Sequence, residues 1–270
     1  MPLPPLKNKT VFAFDLFRLV IDEFVLFDNL SFSIREHESV ALVGPTGSGK
    51  SLLLAVMQQS LWGAPQQKAQ RASNPWRQQG QVTILGHECA PLPPSTDALQ
   101  EIHSSIAMVR ESSAWLPISI AENFHLAQRF TGPSVQSYEE IVDNHAQSPR
   151  NRALLLSLAE QMPSEIEAPY LQYLAIIRAL VRKPKVLLLD EALIKLDPIL
   201  LRHAEALLFD KAEKMTLIWA TNDLHQASRM TDRTILLLNG KLREDSETTA
   251  FFTNPRTTEA EAFISGREPE

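Results

Sequence analysis

The chain has 270 residues, 44% of them hydrophobic, enough for one large domain or two small ones with a substantial core. A net charge of −6 and the lack of any basic run argue against nucleic acid as a partner. The single Cys89 excludes an internal disulfide and fits a reducing compartment, and no apolar stretch nears the ~18 residues needed to cross a bilayer. Met1-Pro-Leu-Pro-Pro-Leu6 is too proline-broken for the apolar core of a signal peptide. The expectation is a soluble, cytoplasmic chain that meets a membrane only through a partner.

Taken in order, Val11 to Leu19 and Ile21 to Phe27 are rich in aromatic and β-branched residues and predict strands of an N-terminal antiparallel layer. Ser39-Val-Ala-Leu-Val43 predicts a short buried strand, and Lys50 to Gln59 follows with helical spacing. Residues 62–79, rich in Gln, Pro and Ala, read as a surface connection before a strand at Gln81–Leu85. Ile106–Val109 is the next strand. From Ser119 to about Leu180 the pattern is helical, with breaks at Gly132-Pro133, Pro149, Pro163 and Pro169. Val186–Leu189 and Thr216–Ala220 predict buried strands on either side of a helix after Pro198. Asn239-Gly240, between Ile235–Leu238 and Lys241–Arg243, predicts a type I′ hairpin. The fold class read from this order is α/β, a phosphate-loop core interrupted by a helical insert at about 110–170.

Two motifs carry chemistry. Gly44-Pro45-Thr46-Gly47-Ser48-Gly49-Lys50-Ser51, between a predicted strand and a predicted helix, is a complete phosphate-binding loop. Its glycines let backbone N–H groups wrap a phosphate, Lys50 reaches the β- and γ-phosphates, and the Ser51 hydroxyl can ligate Mg2+. The helix N-terminus beneath adds partial positive charge. The second motif is Asp190-Glu191 at the end of an apolar strand. Asp190 is the expected magnesium partner and Glu191 the base that polarises the attacking water. ATP and Mg2+ are therefore the expected ligands.

Arg178-Ala-Leu-Val-Arg-Lys-Pro-Lys-Val-Leu-Leu-Leu-Asp-Glu191, followed by Leu196-Asp197-Pro198, resembles an ATP-binding cassette (ABC) ATPase. Ile106–Val109, Pro117-Ile-Ser-Ile-Ala-Glu-Asn123, Phe252-Thr-Asn-Pro255 and Ile264-Ser-Gly-Arg267 narrow the resemblance to the ATP-binding subunits of bacterial phosphate importers. The resemblance implies a single cassette domain, with 1–109 and 171–270 as nucleotide-binding core and about 110–170 as helical subdomain. It also implies a second cassette, the same chain or another, and integral-membrane permease subunits as partners, with the protein peripheral on the inner face of the plasma membrane. Trp115-Leu-Pro117 falls where the family meets its permease, and reads equally well as the packed start of the helical subdomain.

Set against that family, the chain departs at four places. The Leu-Ser-Gly-Gly-Gln signature falls on Ile166-Glu167-Ala168-Pro169-Tyr170, where a carboxylate replaces the hydroxyl and Pro169 has no N–H to give. With 9 glycines in the chain and three in the phosphate loop, the second glycine-rich segment is absent. The glutamine of the loop after the Ile106 strand becomes Glu111, a further candidate metal ligand. The switch histidine becomes Asn222, which cannot carry positive charge; His225 nearby reads as a surface helix residue. The aromatic that stacks on adenine falls near Val20-Ile21, leaving aliphatic contact, or Phe17 or Phe24, to replace it. The expectation is ATP binding with slow hydrolysis. The alternative is a hydrolysis-deficient paralogue acting as a nucleotide-gated regulatory or assembly subunit.

Overall fold

Alternating apolar and polar residues build the N-terminal layer of this computed structural model, which describes residues 9–60, 76–90, 94–129, 135–212 and 214–267. β1 (Thr10–Ile21) and β2 (Phe24–Arg35) pair antiparallel across a turn at Asp22-Glu23. This corrects the strand expected over Ile21–Phe27, because the turn, with Asp22 at φ +52°, falls inside that span. Asp28, Asn29, Ser31 and Ser33 mask the rest of β2 in the sequence, although Phe27, Leu30, Phe32 and Ile34 between them are buried. The Phe14 ring stacks on Phe32 at 4.7 Å and meets Phe17 edge-on at 5.5 Å, which fixes the face of the hairpin that turns inward.

The chain then enters β3 (Ser39–Val43), α1 (Lys50–Met57), β4 (Trp76–Ile84), β5 (His87–Ala90) and α2 (Thr96–Ser105). β4 joins β1, giving an antiparallel sheet of order β2-β1-β4-β5. Of the surface connection expected over 62–79, residues 62–75 lie outside the described residues and 76–79 belong to β4. There Trp76 faces Ile21 and Gln79 faces Arg18, so the polar residues are the outer row of a strand rather than a loop. Helix α2 has no counterpart among the elements predicted from sequence.

The chain divides into two compact units, Met1–His103 with Thr216–Glu270 and Ser104–Met215. In the second unit, β6 (Ile106–Arg110) is followed by α3 (Ile120–Gln128), α4 (Tyr138–His145) and α5 (Pro149–Ser157). A 3-10 turn at Pro163–Glu165 precedes α6 (Ala168–Val181), and β7 (Val186–Asp190) and α7 (Pro198–Ala212) complete the unit. Ser119 and Ser137 start α3 and α4 with reciprocal capping boxes to Glu122 and Glu140. Pro149, behind the Ser148 cap, and Pro169 stand in the first turns of helices, where a missing N–H costs nothing. The break expected at Gly132-Pro133 lies outside the described residues. β6 and β7 pair in parallel, and all five residues of β7 are buried.

The first unit resumes with β8 (Thr216–Ala220), α8 (Leu224–Met230), β9 (Arg233–Leu238), β10 (Lys241–Glu247), α9 (Thr248–Thr253) and α10 (Thr258–Ile264). β3 lies between β8 and β9, parallel to both, and β10 returns antiparallel to β9. Asn239 and Gly240 have φ of +49° and +70°, as a type I′ turn requires. Phe252, Phe263 and Ile264 of the closing helices cover a core of Ala41, Val43, Leu236, Leu238 and Phe251. The 3% exposed Glu244 carboxylate accepts from the Arg256 and Thr257 amides and the Thr257 hydroxyl, which pins the start of α10. Among the described residues no helix is long and apolar enough to cross a membrane.

The hairpin turn also reaches the phosphate loop, since the Gly240 amide donates to the Ser48 carbonyl at 3.2 Å. A Cβ at Gly240 would lie 2.0 Å from the Leu26 carbonyl oxygen. Gly240→Ala is therefore expected to lower stability by about 1–3 kcal/mol and to loosen the loop. Urea denaturation, with hydrogen exchange at the 44–51 amides, checks both effects.

Candidate functional site

The buried run of β3 delivers the chain to Gly44, whose φ of +151° turns it sharply under the β9 end. A Cβ there would meet the Leu237 carbonyl oxygen at 2.1 Å, so no other residue fits without moving backbone. Pro45, Thr46 and Gly47 are exposed at the tip, while Ser48 is buried with its Oγ lacking a hydrogen-bond partner. Gly49, at φ +104°, precedes α1, and its carbonyl accepts from Leu53 at 2.8 Å. α1 has no acid in its first turn, and Ser51 stands exposed there. These eight residues form one concave loop above a helix N-terminus, a shape and polarity that suit a phosphate.

Lys50 is only 6% exposed, and its ammonium is folded back on the loop. Nζ donates to the Gly44 carbonyl at 2.6 Å, the Pro45 carbonyl at 3.1 Å and Oδ1 of Asn222 at 2.7 Å. The Asn222 amide donates in turn to Thr46 Oγ1 at 3.4 Å. Asn222 follows β8 and is held by its neighbours. The Thr221 amide bonds the Leu42 carbonyl, and the Asp223 carboxylate caps α8 through the amides of His225 and Gln226. His225 is exposed in the first turn of that helix, as expected. Of the residues near the expected adenine position, Phe17 is fully buried against Phe14 and Phe27, which rules it out as a base contact. Phe24, opposite Ile21 in the hairpin, is 74% exposed.

In the second unit the acidic residues stand at the ends of adjacent parallel strands. Asp190 ends β7 and is 8% exposed. Glu191 follows with φ +48°, a left-handed conformation that costs a non-glycine residue roughly 1–2 kcal/mol. Such strain, where present, concentrates at functional positions. Glu111 follows β6, and its carboxylate lies 3.4 Å from Lys195 Nζ, which also donates to Ser112 Oγ at 2.7 Å.

Gln172, 4% exposed on α6, donates one amide hydrogen to the Arg110 carbonyl at 2.7 Å and the other to the Ala192 carbonyl at 2.8 Å. The loops bearing Glu111 and Glu191 are thus tied together through α6. That helix begins at Ala168 with Glu167 as its N-cap, and the Glu167 side chain makes no capping bond. Glu167 and Ala168 are exposed at its mouth, and Pro169 stands half-buried in the first turn. Farther along α6, Arg178 lies 3.9 Å over the Trp115 ring and donates to the Ala114 carbonyl at 2.8 Å. Burial, and then the neighbouring Arg182, lowers its pKa to about 10. Asn123 closes the same loop, accepting from the Leu116 amide and donating to the Leu116, Ile118 and Ser119 carbonyls.

Gln172, Lys195, Arg178 and Asn123 are absent from the sequence-derived site. Only Asn123 and Arg178 stand within segments that resemble the family, and a lone Gln on a helix carries no signal of its own. Gln172→Leu leaves two carbonyls without their donor and is expected to cost about 2–3 kcal/mol. Guanidinium denaturation of the full chain measures that loss.

The comparisons with known proteins fit this geometry. The family model described as ABC transporter matches residues 27–194. The phosphate import ATP-binding protein PstB 2 of Shouchella clausii (strain KSM-K16) is 31% identical over 242 residues, covering 88% of this chain and 84% of that protein. The solved ATP binding subunit of an ABC transporter superposes with a TM-score of 0.74 at 18% identity, over 95% of this chain and 99% of the other. An ATP-binding cassette solved as a dimer in a post-hydrolysis state with ADP and Pi gives 0.69 at 22% identity, over 88% and 98%. A bacterial Atm1-family ABC exporter with ATP bound gives 0.73 at 19% identity, with 98% of this chain lying on 43% of the exporter's. The fold is thus that of a P-loop ABC cassette, with its antiparallel layer beside parallel strands and helices. On the match to its sequence model the chain belongs to the ABC transporter family, as a cassette subunit resembling the ATP-binding proteins of phosphate importers.

Proposed function

We propose that this chain is the ATP-binding subunit of a phosphate-type ABC importer, binding ATP with Mg2+ and coupling cassette closure to a membrane permease, with slow hydrolysis. The observation that supports it most directly is the phosphate loop, a concave backbone turn whose buried Lys50 presents its ammonium inside the curve. The backbone of Gly44, Pro45, Thr46, Gly47, Ser48 and Gly49 would cradle the β-phosphate. Lys50 would turn from its partners in the empty loop, Asn222 Oδ1 among them, to bridge the β- and γ-phosphates. Ser51 and Asp190 would hold magnesium, which when bound screens the charge of the phosphates. Glu191 would take the proton of the water that displaces ADP from the γ-phosphorus. Glu111 could join the metal's ligands through one carboxylate oxygen while the other faces Lys195, 3.4 Å away.

The substrate class rests on the kinship to a phosphate importer's subunit at 31% identity. In this reading residues 1–109 and 171–270 are the nucleotide-binding core and 110–170 the helical subdomain. A second cassette, identical or different, completes each ATP site, and the loop held by Arg178 and Asn123 receives the permease at the inner face of the plasma membrane.

Slow turnover follows from the groups that would stabilise the γ-phosphate. Where the family signature presents a hydroxyl and glycine amides, α6 opens with the carboxylate of Glu167, Ala168 and a proline lacking an N–H. A carboxylate about 4 Å from a phosphate oxygen repels it by ~4 kcal/mol at an effective dielectric of about 20. The same observation favours the second reading, a hydrolysis-deficient paralogue in which ATP binding alone gates assembly or regulation. Co-purification of the chain with permease subunits separates the first reading from the second.

Lys50→Ala is expected to weaken ATP binding about 100-fold, on the order of 3 kcal/mol, in a fluorescent-nucleotide titration. Unchanged affinity would falsify the nucleotide assignment. Phosphate release by the purified protein is expected to be slow. Turnover at ordinary cassette rates, lost in Glu191→Gln, would show that the altered residues leave hydrolysis intact.

A further inference from the structure

Lys50 Nζ donates to the Gly44 and Pro45 carbonyls and to Asn222 Oδ1, at 2.6, 3.1 and 2.7 Å. The first two belong to the loop itself and move only if it deforms. The third sits on an exposed side chain with rotatable bonds. Its bond to the ammonium is charge-assisted, hence stronger than one between two neutral groups. The same amide reaches Thr46 Oγ1 at 3.4 Å, so Asn222 spans the mouth of the loop from its tip to its lysine.

Asn222 is also built into place. The Thr221 amide is bonded to Leu42 in β3, the Asp223 amide bonds Thr221 Oγ1 at 3.0 Å, and the Asp223 carboxylate is committed to the α8 cap. The Asn222 side chain is thus held across the phosphate cradle. An incoming phosphate and Asn222 therefore compete for one ammonium.

We infer that Asn222 is a positioning residue that sets nucleotide affinity, latching Lys50 in the empty loop and yielding it when a triphosphate binds. The inference rests on the reading of the loop as an ATP site. It separates Asn222 from a group that merely substitutes for a phosphate contact, because removing a latch tightens binding whereas removing a contact loosens it.

The test compares the parent chain with Asn222→Ala and Asn222→Asp, measuring ATP and ADP affinity by fluorescent-nucleotide displacement and the melting temperature without nucleotide. Asn222→Ala is expected to bind both nucleotides about 3–10-fold more tightly, from the loss of one competing hydrogen bond, while melting slightly lower when empty. A purely structural role would lower the melting temperature and the affinity together. Asn222→Asp, which pairs Lys50 with a charge and repels phosphate, is expected to bind at least about 10-fold more weakly. Unchanged or weaker binding by Asn222→Ala overturns the latch and leaves the ATP site standing. A parent chain that binds neither nucleotide overturns both.

Discussion

The close approach of backbone to backbone beneath the phosphate loop is the constraint on which the first unit depends. Gly44 sits where a Cβ would lie 2.1 Å from the Leu237 carbonyl, and Gly240 where one would lie 2.0 Å from that of Leu26. The Gly240 amide then holds the Ser48 carbonyl, and its own carbonyl accepts from the Asp28 amide at 3.1 Å. One turn of the β9–β10 hairpin thus fixes both the loop and the antiparallel layer. Arg233 reinforces the junction, forking onto Asp245 at 2.6 Å and reaching Glu38 and the Ser33 carbonyl. In a chain of only 9 glycines, their use at these contacts reflects sterics rather than flexibility.

In the second unit the organising group is a neutral amide. Gln172 is buried and satisfies two carbonyls at the ends of β6 and β7, so its loss would leave desolvated acceptors behind. The Glu111–Lys195 pair is different in kind. With side-chain exposures of 56% and 36%, it contributes little to stability, about 0–1 kcal/mol. Its effect is on charge: it offsets a carboxylate at the end of β6.

The parts of the fold legible in the sequence are those whose pattern matches their burial. β3, β7 and β8 are continuous apolar runs because both of their faces are covered, and the phosphate loop is a motif that follows β3 and opens α1. β2 and the start of β4 are obscured because polar outer-row residues of an antiparallel strand look like loop. α2 is legible in principle. Ser95 accepts from the Ala98 amide as a cap, Asp97 stands in the first turn, and Ala98, Leu99 and Ile102 are buried at helical spacing. In the candidate site, Lys50, Asp190 and Glu191 come from motifs, whereas Gln172 and Lys195 act through contacts 20 to 84 residues away that no local pattern encodes.

The residues kept and the residues changed divide along a physical line. Backbone curvature, the helix N-terminus and a buried ammonium attract any polyphosphate, and each is present in the phosphate loop whatever happens elsewhere. Hydrolysis asks for more, because rate depends on groups that strengthen their hold as charge shifts during P–O cleavage. Asn222 has no positive charge to offer that shift, and the opening of α6 offers a carboxylate and a proline instead of donors. In the function proposed above, a cassette built this way would keep the affinity that closes two subunits on ATP and lose part of what reopens them. Its conformational cycle would then be governed by how tightly the loop holds nucleotide, which makes the competition for Lys50 more consequential here than in a rapid ATPase.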